Sequence, residues 1–189
     1  MKYLILGFFF LISINNYGQE NTTLYFRNGD SLKVKAYLNS GSPRITYREN
    51  EDAKRITVDY KKAEKAVQHY NEFDKTFVFK IKNGYTIPVL LERAYSGKAY
   101  LYKMDFTRNS SFAGGMTMSS NHSEYYVCKY DADVVTTFNA SGLFIENGFR
   151  KKSTEFFKDC PELVNKINDK IWKMKDITEI VHYYDTECN

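Results

Sequence analysis

The chain is short of the residues from which most enzymes build their chemistry. In 189 residues it has three histidines, three cysteines, three prolines and one tryptophan. His69, His122 and His182 lie in three separate segments, so no spacing sets a base beside a nucleophile. No GxSxG, P-loop, GxGxxG or HExxH occurs, and neither does CxxC or HxxxH. The reading is therefore of a chain with no catalytic residue assigned, no cofactor and no metal site. Carboxylates do cluster, as Asp131 with Asp133 and Glu49 with Glu51 and Asp52, but in turn-like stretches where they are solvated. Asp131-Ala132-Asp133 lacks the glycine and glutamate of a full calcium loop.

Charge of one sign is also scarce. The 27 basic and 23 acidic residues leave a net charge of +4. Lys33, Lys35, Arg44, Arg48, Lys54 and Arg55 are scattered among apolar positions, as on the wet face of a sheet. Nothing here points to nucleic acid as a partner. The chain has one long apolar run, Tyr3 to Ile14, behind Lys2 and ahead of the polar Asn15-Asn16-Tyr17-Gly18. That is the layout of a secretory signal peptide, assigned here to residues 1–18. It is too short to span a bilayer comfortably, and no cysteine near the junction offers a lipid anchor. No later segment reads as transmembrane. The expected location is periplasmic, outer-membrane-associated or secreted. The sequence sets no oligomeric state.

What is abundant is aromatic: 16 tyrosines and 14 phenylalanines. Residues 19–150 read as a β-rich body. Strands are expected at 23–27, 31–38, 44–48, 55–60, 76–82, 85–95, 98–106, 124–130 and 133–139, with one or two helical turns at 61–70. Asn28-Gly29 and Asn83-Gly84 read as type I′ hairpin turns. Pro88 marks its strand as an edge or a bulge. Strands at this spacing predict an antiparallel sandwich or small barrel-like sheet. Most tyrosines on such strands are sheet packing. Where Tyr95, Tyr100, Tyr102, Tyr125 and Tyr126 meet, they form a candidate binding surface. Residues 107–123 read as a long polar loop with an apolar tip, Phe112, Met116 and Met118, which extends that surface.

From about Ser153 the pattern changes to a helical period, and 151–189 is expected to be a short helical hairpin, making the fold α+β. Asp159 and Glu162, then Asp176 and Glu179, have the spacing of capping boxes, and Pro161 suits a first turn. Two antiparallel helices would bring Cys160 beside Cys188. In an oxidising compartment the expected result is a disulfide, in preference to a reactive thiol. Cys128 alternates with Tyr126 and Tyr130 and reads as a buried small apolar group.

Taken together, the leader, the NGD hairpin, EYYVCKYDADVVTTF, FRKKSTEFFKDCPELVNKI and DITEIVHYYDTEC resemble small secreted proteins of Bacteroidetes-type bacteria. That resemblance implies an envelope location and a structural role for Cys160, Pro161 and Cys188, and no activity. Asp30-Ser31-Leu32 also resembles the short O-glycosylation signal of such bacteria. The functional expectation is an exported, non-enzymatic module that binds an envelope protein or glycan. The alternatives are a hydrolase of an envelope glycan or peptide polymer, and a structural or stress-response envelope protein.

Overall fold

The computed structural model describes residues 20–111, 117–138 and 145–188. The expected signal peptide, Phe112 and Met116 lie outside them. Ten strands are followed by three helices: β1 (Glu20–Phe26), β2 (Ser31–Tyr37), β3 (Arg44–Arg48), β4 (Ile56–Asp59), β5 (Ala63–His69), β6 (Asp74–Lys82), β7 (Val89–Tyr95), β8 (Ala99–Ser111), β9 (Thr117–Lys129), β10 (Val134–Thr137), α1 (Ile145–Phe156), α2 (Pro161–Asn168) and α3 (Ile177–Glu187). The fold is thus a mainly antiparallel sheet with a helical C-terminus. Among the described residues no helix is long and apolar enough to cross a membrane.

The strand order is β10-β9-β8-β7-β6-β5-β1-β2-β3-β4, and β10 pairs with β6 as well. That second pairing is parallel, Val134 with Ile81 and Val135 with Lys82. It closes β6 to β10 into a five-stranded barrel, whose interior holds Val78, Leu91, Tyr102, Tyr126, Cys128 and Val135. The first five strands curl against the outer face of β6 and β7. There Leu24, Ala36, Ile45 and Ala66 pack with Phe77, Phe79 and Leu90. The β2–β3 loop completes this second layer: Gly41 N–H donates to Leu90 O, and Leu90 N–H donates to Ser42 O, both at 2.8 Å. Because strand side chains alternate, β6 feeds two cores at once, Phe77 and Phe79 into one and Val78 into the other.

The helices cover the outer face of β8 and β9, where Ala99, Leu101 and Val127 meet Phe149, Phe157, Leu163, Ile167, Ile180 and Val181. Each fully buried aliphatic side chain contributes about 1.5–3 kcal/mol. The Cys160–Cys188 disulfide closes a separation of 28 residues. By chain entropy it is worth on the order of 3 kcal/mol. Packing therefore holds the helices first, and the disulfide reinforces them. Polar ties fix their position. Asp159 accepts from Lys129 Nζ at 2.7 Å and from Tyr184 Oη at 2.6 Å. Asp185 accepts from Lys98 N–H at 2.7 Å and Tyr95 Oη at 2.9 Å.

Several expectations are corrected. Residues 61–70 hold strand β5, because Ala63 and Ala66 are buried in the first-half core. Residues 107–111 and 117–123 of the expected loop are strand: β8 and β9 continue as a paired ribbon to Ser111 and Thr117. Pro88 sits just before β7 and outside its ladder. The helical part begins at Ile145 and has three helices, with a 3-10 turn at Met174–Asp176. Asp159 does not cap α2. Cys160 takes the N-cap position, with no side-chain cap bond. Asp176 does precede α3, but its carboxylate accepts from Lys173 N–H at 2.9 Å, within the 3-10 turn. In both Asn-Gly turns the glycine is left-handed (Gly29 φ 92°, Gly84 φ 87°) while Asn28 and Asn83 are not, so neither is a type I′ turn. In the first, Gly29 N–H donates to Phe26 O, and Phe26 N–H to Asp30 O. That is a type I turn closed by a glycine bulge in place of a type I′ turn.

Candidate functional site

The two ends of the barrel differ. One end is plugged. Lys80, only 5% exposed, donates from Nζ to Asp131 O and Ala132 O at 2.9 Å and pairs with Asp131 Oδ1 at 2.7 Å. Tyr102 Oη donates to the same carboxylate, and Arg93 Nη2 lies 3.3 Å from its other oxygen. Burial works to raise the Asp131 pKa, but the hydrogen bonds from Lys80 and Tyr102 and the charges of Lys80 and Arg93 outweigh it, leaving the group below the ordinary carboxylate range. Burial, then the bond to Asp131, pushes the Tyr102 hydroxyl far up. Cys128 sits in the same interior, and burial raises its pKa, which keeps it a thiol and a poor nucleophile.

The other end is open. It forms a cleft of about 370 Å³ lined by Lys82, Asn83, Tyr85, Met104, Phe106, Arg108, Glu124, Tyr126 and Thr137. Mouths of barrels are common ligand sites, and this volume falls in the usual range. The strand alternation that fills the barrel also supplies the lining: Tyr126 opposes Tyr102, Glu124 opposes Met104, and Arg108 opposes Ser120 on β8 and β9. The Lys82 ammonium stands 4.8 Å from the Tyr85 ring centre and 5.8 Å from that of Tyr126. Tyr126 Oη donates to Glu124 at 2.5 Å, and burial, then this bond, raises its pKa. Among the described residues, no ion pair is made by Lys82 or Arg108. Phe106 stacks on His122 with ring centres 5.6 Å apart at the rim.

The tyrosines singled out from sequence do not share one surface. Tyr126 lines the mouth, while Tyr102 is buried deeper. Tyr100 faces the same interior and stacks on Tyr102 at 6.4 Å. Tyr95 and Tyr125 lie on the opposite face, against the helices. Met118 is exposed on the ribbon, on the face that carries Phe106 and Arg108. Lys82, Tyr85, Phe106, Arg108 and Glu124 were not legible as a group. Only the 13-residue register of β8 on β9 aligns three of them, and the β6–β10 closure brings the others.

Two hydroxyl–imidazole pairs bear on catalysis. Ser120 Oγ lies 2.8 Å from His122 Nε2 on the exposed ribbon. Thr23 Oγ1 lies 2.8 Å from His69 Nε2, whose Nδ1 lies 2.9 Å from Asp74 Oδ1. The second set has the order of a nucleophile, base and orienting acid. Thr23, however, is only 7% exposed and sits on a strand paired on both sides, with β2 and with β5. It faces Lys33 on one side and Val67 on the other, so the hydroxyl lies within a central strand of the sheet. The contact ties β1 to the β5–β6 hairpin. Among the described residues no group of three or more metal-binding side chains is gathered. Comparison with protein-family models, with curated proteins and with solved structures finds no match for this chain.

Proposed function

We propose that this chain is a non-enzymatic binding module of the cell envelope, exported by its N-terminal leader, whose ligand enters the open end of the barrel. The observation that carries this reading is the pairing of two cations that make no ion pair among the described residues, Lys82 and Arg108, with the rings of Tyr85, Phe106 and Tyr126 around one cleft. Rings offer flat apolar faces to a sugar, and the cations favour an acidic one. Asn83 and Glu124 add a donor, an acceptor and a second acceptor for hydroxyl groups. The ligand class proposed is an acidic envelope glycan. Titrating acidic and neutral oligosaccharides into the protein, with Tyr85 and Tyr126 ring resonances as the readout, tests it. Acidic sugars are expected to bind more tightly, to weaken with salt, and to lose affinity about tenfold in Lys82→Met, the scale of one charge-assisted hydrogen bond. Equal binding of neutral sugars, or no effect of Lys82→Met, would overturn the assignment.

A hydrolase reading would rest on the Thr23–His69–Asp74 chain of hydrogen bonds. A fluorophosphonate probe that labels Thr23, with labelling abolished by His69→Ala, would favour it over the binding module. No labelling is expected.

A further inference from the structure

We propose that the free edge of β8 pairs antiparallel with the same edge of a second copy of this chain, joining two ribbons into a four-stranded sheet. Beyond Lys103, β8 keeps β9 as its neighbour but leaves β7, whose last ladder partner is Glu92. The Leu90 main chain is taken by Gly41 and Ser42 instead. On the other side β10 reaches β9 only at Val127 and Tyr126. Among the described residues, the ribbon beyond Asp105 therefore has no further strand paired to either edge.

Open edges are templates for another strand, and proteins guard them with charges, proline, bulges or brevity. The opposite end of this same sheet is guarded. β4 is four residues long and follows Asp52, Lys54 and Arg55. Beyond Asp105 the described part of the ribbon has a single charge and neither proline nor bulge. Its 13 cross-strand pairs run without a register shift. Between Phe106 and Ser111 the only charge is Arg108, and Thr117–Ser123 contains no Asp, Glu, Lys, Arg or Pro. An isolated two-stranded ribbon is also marginal in water, so a further pair of strands is stabilising.

The edge of β8 is complementary to itself about one residue. A two-fold axis at Thr107 sets Phe106 opposite Arg108 of the second copy, ring against guanidinium. It sets Asp105 opposite Asn109 and Met104 opposite Ser110. Directly opposed residues share a face, so each of these pairs is in contact. An axis at Arg108 would instead oppose two guanidinium groups. The Thr107 register makes the interface isologous, as two-fold dimers require. It also turns both barrel mouths to the same side of the joined sheet.

Sedimentation velocity over a concentration series decides the matter. The unaltered protein is expected to dimerise. Thr107→Lys and Thr107→Asp each place like charges across the axis and are expected to sediment as monomers, while their equimolar mixture restores the dimer. Asn121→Lys puts the same charge on the neighbouring strand, away from the axis, and is expected to leave the dimer intact. A monomer at every concentration, a dimer indifferent to Thr107→Lys, or a mixture that stays monomeric would each overturn the proposal. Lys82→Met is expected to leave sedimentation unchanged, so this outcome is separable from the glycan reading of the mouth.

Discussion

The Asp185 carboxylate fills the space that a side chain on Gly97 would need. A Cβ at Gly97 would stand 2.5 Å from Asp185 Cγ. There the carboxylate accepts from Lys98 N–H and Tyr95 Oη, and these bonds hold its pKa below the usual range. α3 is thereby fastened to the β7–β8 turn. Gly97→Ala is expected to displace the carboxylate and break both bonds, at a cost of about 1–3 kcal/mol. Chemical denaturation measures the loss, and hydrogen exchange should show the Lys98 amide opening faster.

Reduction of the Cys160–Cys188 bond, or Cys160→Ser, is expected to lower stability by about 3 kcal/mol. The apolar contacts of α2 and α3 remain, so the helices should still form and fray before the sheet does. Non-reducing peptide mapping should return Cys160 joined to Cys188. Cys128 should resist iodoacetamide until the barrel unfolds, because its thiol is buried and its pKa is raised.

Lys80→Met is expected to cost about 3 kcal/mol, since it strips a partner from a buried ion pair and leaves two carbonyls without their donor. Urea unfolding reads this directly. The pH dependence has a definite sign. The folded pKa of Asp131 lies below its reference value of 3.8. Its stabilising contribution is therefore complete above about pH 4 and is lost as pH falls through the folded value. Asp131→Asn should lower stability at neutral pH and flatten the acid limb of the stability profile.

Shortening the ribbon in whole cross-strand pairs, by joining Asn109 to Ser119 through a two-residue Asn-Gly turn, is expected to leave the melting temperature nearly unchanged. Ser110, Thr117 and Met118 are exposed, and the cross-strand partners are removed together. Deleting Arg108 alone is the contrasting case. The strand up to Thr107 is anchored in the barrel, so the deletion shifts the segment beyond it by one and turns Asn109 and Ser110 to the opposite face, breaking the Asn109–Ser119 bond. Thermal melting distinguishes the two.

The parts of this fold that were legible are those written locally. The hairpins around Gly29 and Gly84 and the strand at Phe77–Ile81 announce themselves by turn residues and alternation. The Cys160–Cys188 pair followed from helical periodicity and the expected compartment. What was illegible depends on distant neighbours. KKAEKAV has helical propensity, yet Ala63 and Ala66 are small enough to lie between β1 and β6, and that environment decides. The ribbon reads as a loop because Ser, Thr and Asn occupy both its faces. On one face they bond each other, as Thr107 with Asn121 at 3.0 Å and Asn109 with Ser119 at 2.8 Å. The open mouth of the barrel depends on two parallel pairs between β6 and β10, about fifty residues apart in the chain, for which no local pattern exists.

Closure by β10 also gives synthesis a direction. The N-terminal layer contains every residue it needs by Leu90, including the partners of Gly41 and Ser42. Lys80 belongs to that early material, but its carboxylate and both of its carbonyl partners come at 131 and 132. Chains are synthesised from the N-terminus at roughly 5–20 residues per second, and earlier parts fold first. For several seconds, then, a nascent chain presents a finished first layer beside an unsealed second one, with a solvated ammonium where the plug will form. A ribosome stalled before residue 131 would release a product that has β6 to β9 but neither the β10 that closes them nor the partners of Lys80, which makes the β9–β10 turn the point at which an incomplete copy becomes distinguishable from a whole one.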